Sequence, residues 1–226
     1  VSVAVAANFM APMQKIAQSF EQDTGHKAVL SFGSSGSFYA QIRHGAPFQV
    51  LLAADDETPS RLERDGATVA GSRFTYATGK LVLWSRQPGL IDGNGDVLRS
   101  GRFERLAIAN PKLAPYGAAA RETLEKLGVL EALQARIVQG DNIAQTYQFV
   151  ATGNAQLGFV ALSQVMTDGR IAQGSAWVVP ASLHAPIRQD AVLLARGKEN
   201  PAAMSLLAYL RGEKARALIR AHGYDL

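Results

Sequence analysis

The 226-residue sequence contains no cysteine, and this absence removes several kinds of site at once. Disulfide bridges, thiolate-bound metals and cysteine nucleophiles are all excluded. The sequence also lacks any apolar run long enough to cross a membrane. The formal net charge is only +4 and the basic residues are scattered, so we expect no nucleic-acid partner. With 47% hydrophobic and 19% charged residues, the composition is typical of a globular protein.

The sequence opens on a strand pattern, Val1–Val5, without an initiator methionine. Zero cysteine suits an oxidising compartment, although it does not prove one. From these two features we expect a mature, secreted chain whose signal peptide has been removed.

Strand and helix patterns alternate along the chain, which predicts an α/β fold whose sheets are mainly parallel and flanked by helices. Two long strand-like runs, near 76–85 and 187–196, bracket a middle segment with its own strands and helices. We therefore expect two lobes joined by two crossing strands. The first is discontinuous, 1–80 and 194–226, the second is the insertion 81–193, and the ligand cleft lies between them.

A Gly/Ser-rich turn, Gly33–Ser37, stands between a strand pattern and a helix pattern. Such a turn gathers backbone N–H groups and hydroxyls, and the helix dipole adds partial positive charge, so the stretch is suited to bind an anion. The turn has no charged side chain, which favours a compact oxyanion held by neutral donors over a nucleotide gripped by lysine. A serine-rich helix cap is the alternative that this turn alone leaves open.

Three further turns follow predicted strands: Ala7-Asn8, Tyr116-Gly117 and Asn142-Ile143. Turns at the carboxyl ends of parallel strands are where open α/β sheets bind ligands. Asn142 is the predicted N-cap of the next helix, which places Ile143 early in that helix with a free N–H.

Other features have plainer explanations. The pair Asp55-Asp56 is compatible with a metal site or an acid–base dyad, but beside a helix start capping is favoured. Trp84 and Trp177 lie in apolar strand-like runs, so we expect core packing rather than a stacking platform. A serine hydrolase is a distant alternative, because Gly33–Ser37 departs from G-x-S-x-G at its last residue and no Ser-x-x-Lys occurs. The four histidines lie in polar or helix-end contexts: His26, His44, His184 and His222.

Six motifs, in this order and spacing, are similar to those of one known family. They are AANF at 6–9, GSSG at 33–36, APFQVLLAAD at 46–55, GKLVLWS at 79–85, ANPKLAPYG at 109–117 and LGFVAL at 157–162. Over essentially its whole length the sequence resembles the molybdate-binding periplasmic components of ABC importers, a group of type II substrate-binding proteins.

The resemblance implies a monomeric periplasmic protein that binds molybdate and tungstate and delivers them to a membrane permease. It implies no catalysis and no cofactor, with the metal bound only as its oxyanion. Carried over residue by residue, it gives Asn8 and Ser35 as oxyanion ligands from the first lobe. It gives Tyr116 and Ile143 as oxyanion ligands from the second lobe, and the backbone of Ala7 as a further ligand from the first. For Asn8, the side-chain amide and the backbone N–H are both able to donate.

Two positions depart from the family pattern. Many members have a tyrosine where this chain has Ala161, whereas this chain has Tyr116 where those members have a small residue. Some members of the subgroup with the moved tyrosine carry threonine in place of Ala7, so one hydroxyl donor is lost here.

A site made only of donors suits a fully deprotonated dianion such as molybdate or tungstate. Phosphate usually carries a proton and benefits from an acceptor carboxylate, and a small carboxylate ligand would want an arginine. Sulfate matches in charge but is smaller, so its rejection depends on the width of the cavity. Binding of another tetrahedral oxyanion, sulfate or phosphate, therefore stays open as the alternative.

Overall fold

A computed structural model describes residues 1–167 and 169–226. The chain divides into two compact units: unit 1 is Val1–Thr78 with Arg188–Leu226, and unit 2 is Gly79–Ile187. The lobe limits drawn from the sequence stay a prediction, and the compact units differ from them mainly in assigning 188–193 to unit 1. No helix in the described ranges is long and apolar enough to cross a membrane.

The strands in chain order are β1 (Ser2–Ala6), β2 (Val29–Gly33), β3 (Val50–Leu52), β4 (Phe74–Gly79), β5 (Leu81–Ser85), β6 (Leu106–Ala109), β7 (Ile137–Gly140), β8 (Leu157–Ala161), β9 (Met166–Thr167), β10 (Arg170–Ile171), β11 (Ser175–Val178) and β12 (Ile187–Leu193). The α-helices are α1 (Met10–Thr24), α2 (Ser35–Arg43), α3 (Glu57–Arg64), α4 (Val97–Ser100), α5 (Pro115–Lys126), α6 (Leu130–Leu133), α7 (Ile143–Ala151), α8 (Leu162–Val165), α9 (Pro201–Arg211) and α10 (Glu213–Ala221). Short 3-10 helices occupy Ala7–Phe9, Gln134–Arg136, Ala181–Leu183 and Ala195–Gly197.

The sheet of unit 1 has the strand order β2-β1-β3-β12-β4. Strand β1 is parallel to both β2 and β3, and β12 runs antiparallel to β3. Alternate residues of β1 face opposite layers: Val3 and Val5 pack with Phe9, whereas Ala4 packs with Phe38. Because both faces are covered, the strand is apolar throughout, as expected of a buried parallel strand.

The sheet of unit 2 has the order β11-β5-β8-β6-β7. Here β6 is parallel to β7 and β8, and β5 is antiparallel to β8 and β11. Trp84 and Trp177 are 4% and 7% exposed, which confirms the expected core packing. The Trp84 ring stacks on Tyr147 with ring centroids 5.3 Å apart. Its Nε1 donates to the carbonyl of Gln173.

The two sheets, each flanked by helices, confirm the predicted α/β class, and each sheet combines parallel and antiparallel pairs. The run 76–85 is not one strand, because it is divided between β4 and β5, which belong to different sheets and break at Lys80. Both halves have a strand-like composition, so periodicity alone did not reveal the break. The second strand-like run ends earlier than expected, since β12 stops at Leu193.

Candidate functional site

Three turns of unit 1 meet at one edge of its sheet. Ala6 pairs with Gly33 and Val5 pairs with Leu52, so the carboxyl ends of β1, β2 and β3 lie side by side. The Ala7–Phe9 helix follows β1, and Ser35 begins α2 directly after β2. The structure therefore brings together the residues predicted from the first lobe, at the edge where parallel sheets bind ligands.

The two serines of the Gly/Ser turn have different roles. Ser34 is the N-cap of α2, and its Oγ accepts from the N–H of Ser37 at 3.4 Å. Ser35 is the first helical residue and only 1% exposed, and its Oγ accepts from the N–H of Ala54 at 2.8 Å. A hydroxyl carries one proton and two lone pairs. Since Ala54 fills an acceptor position, the Ser35 hydroxyl keeps its proton for a further acceptor.

Asn8 is 2% exposed, and its side chain is engaged within unit 1. The amide nitrogen donates to Oε1 of Gln189 and to the hydroxyl of Tyr224, both at 2.9 Å. These bonds use both amide hydrogens. Both hydrogens of the amide are thus directed to protein acceptors, and the role of Asn8 as an oxyanion ligand stays a prediction.

Ala7 is the first residue of the same 3-10 helix and is 5% exposed. Its methyl group cannot donate a hydrogen bond, so this position offers an anion only its backbone.

The carboxylate closest in sequence to Ala54 is directed to a helix start. The two oxygens of Asp55 accept from the N–H of Thr58 at 2.7 Å and from its hydroxyl at 3.1 Å. Burial raises the pKa of Asp55, and the bonds from Thr58 oppose this shift. The structure confirms a capping role for Asp55. Helix α3 begins one residue before Thr58, at Glu57.

Asp56 forms an exposed ion pair with Arg188 at 3.2 Å. Among the described residues, no group of three or more histidine, aspartate or glutamate side chains is arranged to hold a metal ion.

The residues predicted from the second lobe lie together at the corresponding edge of the unit 2 sheet. Ala109 pairs with Gly140 at the carboxyl ends of the parallel strands β6 and β7. Tyr116 is the second residue of α5, the helix after β6, and Ile143 is the first residue of α7, the helix after β7. They are 1% and 3% exposed.

The first turn of α7 leaves one N–H for a ligand. The Oδ1 of Asn142 accepts from the N–H groups of Ala144 and Gln145, both at 3.0 Å, which confirms Asn142 as the N-cap. The N–H of Thr146 donates to the carbonyl of Asn142 at 3.1 Å. Because a helix provides no internal acceptor for its first N–H groups, the N–H of Ile143 remains as a donor at the positive end of the helix dipole.

Gln164 supports this helix start and was missed from the sequence. Its Oε1 accepts from the N–H of Ala161 at 2.9 Å, and its Nε2 donates to the carbonyl of Ile143 at 3.0 Å. Ala161 is the position where many family members carry tyrosine. A glutamine three residues after a strand end is the signal that was available, since glutamine at that position often bonds back to the start of a helix.

The start of α5 lies against the end of β6, and Gly117 permits this contact. A Cβ at this position would lie 2.2 Å from the carbonyl oxygen of Ala109. We expect Gly117→Ala to destabilise the protein by about 2 kcal/mol, since either the helix or the strand must move. Thermal unfolding checks this, with Gly93→Ala as the control, because a Cβ at Gly93 has no neighbour within 4 Å. Equal stability of the two variants would contradict the tight packing.

Comparison with known proteins matches this arrangement to one family. Residues 1–225 match the family described as bacterial extracellular solute-binding protein. The chain is 62% identical over 226 residues to the molybdate-binding protein ModA of Azotobacter vinelandii, covering 100% of this chain and 90% of that protein. It is 51% identical over 225 residues to ModA of Rhodobacter capsulatus, covering 99% and 87%.

A solved structure agrees with the sequence matches. The Azotobacter vinelandii periplasmic molybdate-binding protein has a TM-score of 0.97 to this chain at 44% identity, covering 100% of this chain and 99% of that one. These similarities confirm the expectation of a binding protein rather than an enzyme. With a family match over residues 1–225, the chain belongs to the bacterial extracellular solute-binding protein family.

Proposed function

We propose that the protein binds molybdate, and also tungstate, outside the cytoplasm and as a monomer, and delivers the anion to the permease of an ABC importer. The identity of the anion is supported by the 62% identity to a protein named for molybdate binding. The geometry supports the same class of ligand independently.

The observation that carries the proposal is that both candidate sets offer neutral donors at helix starts. In unit 1 the Ser35 hydroxyl is oriented by the Ala54 N–H, and in unit 2 the Ile143 N–H is the group that the Asn142 cap leaves over. A fully deprotonated dianion accepts hydrogen bonds and donates none. Donors of this kind, reinforced by helix dipoles, therefore suit molybdate and tungstate.

In this proposal one anion takes donors from both units. Ser35 and the backbone of the Ala7-Asn8 turn serve from unit 1, and Tyr116 and Ile143 serve from unit 2. Such an anion stabilises the bound conformation only by the contacts that the open conformation lacks.

Phosphate fits this donor set less well than molybdate. At neutral pH it usually carries a proton, for which a site needs an acceptor. Asp55, the carboxylate next to the Ala54 N–H that orients Ser35, has both oxygens engaged by Thr58. Sulfate carries the right charge but has shorter bonds, so in a site sized for molybdate it leaves donors unpaired, which costs affinity.

Calorimetric titration in a buffer free of competing oxyanions tests the function. We expect one molar equivalent of molybdate or of tungstate to bind tightly, with sulfate and phosphate at least about 100-fold weaker, equivalent to about 2.7 kcal/mol. Tightest binding of sulfate or phosphate would contradict the transport assignment while leaving the anion site in place. Absence of binding by all four anions would contradict the site itself.

A further inference from the structure

Four buried polar side chains form a connected network in unit 1, beside the Ala7–Phe9 helix. We call these the turn network: Asn8, Tyr76, Gln189 and Tyr224. They are 2%, 3%, 0% and 4% exposed. The resemblance to the family gave a role to Asn8 alone, and neither the sequence patterns nor the proposed anion contacts account for the other three.

Tyr224 contacts Asn8 at two points. Its hydroxyl accepts from the Asn8 side chain at 2.9 Å and donates to the Asn8 backbone carbonyl at 2.8 Å. The side chain and the main chain of Asn8 are therefore fixed by one phenol. The second amide hydrogen of Asn8 goes to Gln189 Oε1 at 2.9 Å, which fixes the rotation of the amide.

Tyr76 extends the network to the neighbouring strand end. Its hydroxyl lies 2.9 Å from the carbonyl of Ala53 and 3.0 Å from Gln189 Oε1. Burial, and then the neighbouring Tyr224, raise the pKa of Tyr76 well above its usual value, so the phenol keeps its proton and remains a donor. Ala53 precedes Ala54, whose N–H orients the Ser35 hydroxyl. The network thus includes Asn8 and is connected to the Ser35 hydroxyl through the Ala53-Ala54 segment.

Two members lie on the strands that connect the units. Tyr76 is on β4, close to the unit limit at Thr78, and Gln189 is on β12, close to the limit at Arg188. Where the chain re-enters unit 1, Gln189 is hydrogen-bonded to Asn8, and where the chain leaves, Tyr76 is connected to Asn8 through Gln189.

We propose that Tyr224 and Gln189 are positioning residues for the anion site: by holding Asn8 they fix the Ala7-Asn8 turn so that its backbone presents N–H groups to the anion. This inference rests on the proposed function and adds residues that do not touch the ligand. A buried network that serves stability alone is the competing explanation, and the two differ in how mutations combine.

The test substitutes Tyr224 by phenylalanine, which removes the hydroxyl and retains the ring that packs edge-on against Phe9. We expect the Kd for molybdate, measured by calorimetry on the full chain, to rise about tenfold, because the turn loses two hydrogen bonds that hold it. Tyr209→Phe is the matched control. Its hydroxyl donates to Asp23 at 2.8 Å and its ring packs edge-on against Phe20, so the variant should bind like the wild type.

A double-mutant cycle separates positioning from stability. Because Tyr224 also donates to the Asn8 backbone carbonyl, Asn8→Ala removes only one of its two bonds to the turn. If Tyr224 acts through Asn8, the Kd of the double variant should therefore lie above that of Asn8→Ala but clearly below the product of the two single effects. Multiplication of the two single effects would overturn the proposal, as would wild-type affinity of Tyr224→Phe. Gln189→Met removes the acceptor and keeps an unbranched side chain, so it should also raise the Kd about tenfold. If Tyr224→Phe does not fold, Gln189→Met is tested in its place.

The wild-type titration separates a failure of the positioning role from a failure of the proposed function. A wild type that binds molybdate while Tyr224→Phe and Gln189→Met bind equally well overturns the positioning role alone. A wild type that binds no molybdate overturns the proposed function and the positioning role together.

Discussion

Ile143→Pro is expected to weaken molybdate binding by about 30-fold or more while the protein remains folded, because the substitution deletes the N–H donor from the first residue of a helix. Proline is well tolerated at that position, since its fixed φ suits the first turn and the missing N–H takes no part in the helix. The preceding residue is also compatible: Asn142 is extended, with φ −150° and ψ 175°, as a residue before proline requires. The Asn142 cap itself bonds to Ala144 and Gln145, so it is retained.

The control for this variant is Ile143→Val, which keeps the N–H and trims the buried side chain. Calorimetry should give the valine variant an affinity within about threefold of the wild type. Melting temperatures of both variants show whether α7 is intact. Equal affinities of the proline and valine variants, with α7 intact, would mean that the Ile143 N–H is not a ligand.

Ser35→Ala is expected to raise the Kd for molybdate by about 10- to 100-fold, because it deletes a buried donor to a charged ligand. The same change leaves the N–H of Ala54 without its acceptor. We therefore also expect a loss of about 1–3 kcal/mol in the free energy of unfolding. Titration with molybdate measures the first effect and denaturant unfolding measures the second.

Ser60→Ala is the matched control for Ser35→Ala, because it makes the same substitution on α3 of the same unit, where the Ser60 hydroxyl accepts from an exposed arginine, Arg64. It should change neither quantity measurably. If the Ser35→Ala variant is less stable but binds molybdate like the wild type, Ser35 is not a ligand and serves only to bond the N–H of Ala54.

The sequence identified a helix start correctly where one N-cap residue is enough to mark it. Asn142 precedes an apolar helical pattern and caps α7 as predicted. The Gly/Ser turn was harder because Ser34 and Ser35 are chemically identical. Ser35 is distinguished from the cap Ser34 by the N–H of Ala54, which lies just after β3 and donates to the Ser35 hydroxyl.

The partners of Asn8 could not be predicted from its surroundings in the sequence. Gln189 lies 181 residues away and Tyr224 lies 216 residues away, and no periodicity connects them. The sequence therefore indicated that Asn8 belongs to the site but could not indicate that its amide is turned into the protein. The same holds for Gln164, whose partner Ile143 is 21 residues earlier on another helix.

A crystal structure of the molybdate complex tests whether one oxyanion takes donors from both units. Anomalous scattering locates the molybdenum without reference to the protein coordinates. We expect a single peak, and an anion whose oxygens lie about 2.7–3.1 Å from both the Ser35 Oγ and the Ile143 nitrogen. A peak contacted by donors of one unit only, or one distant from both residues, would contradict this expectation.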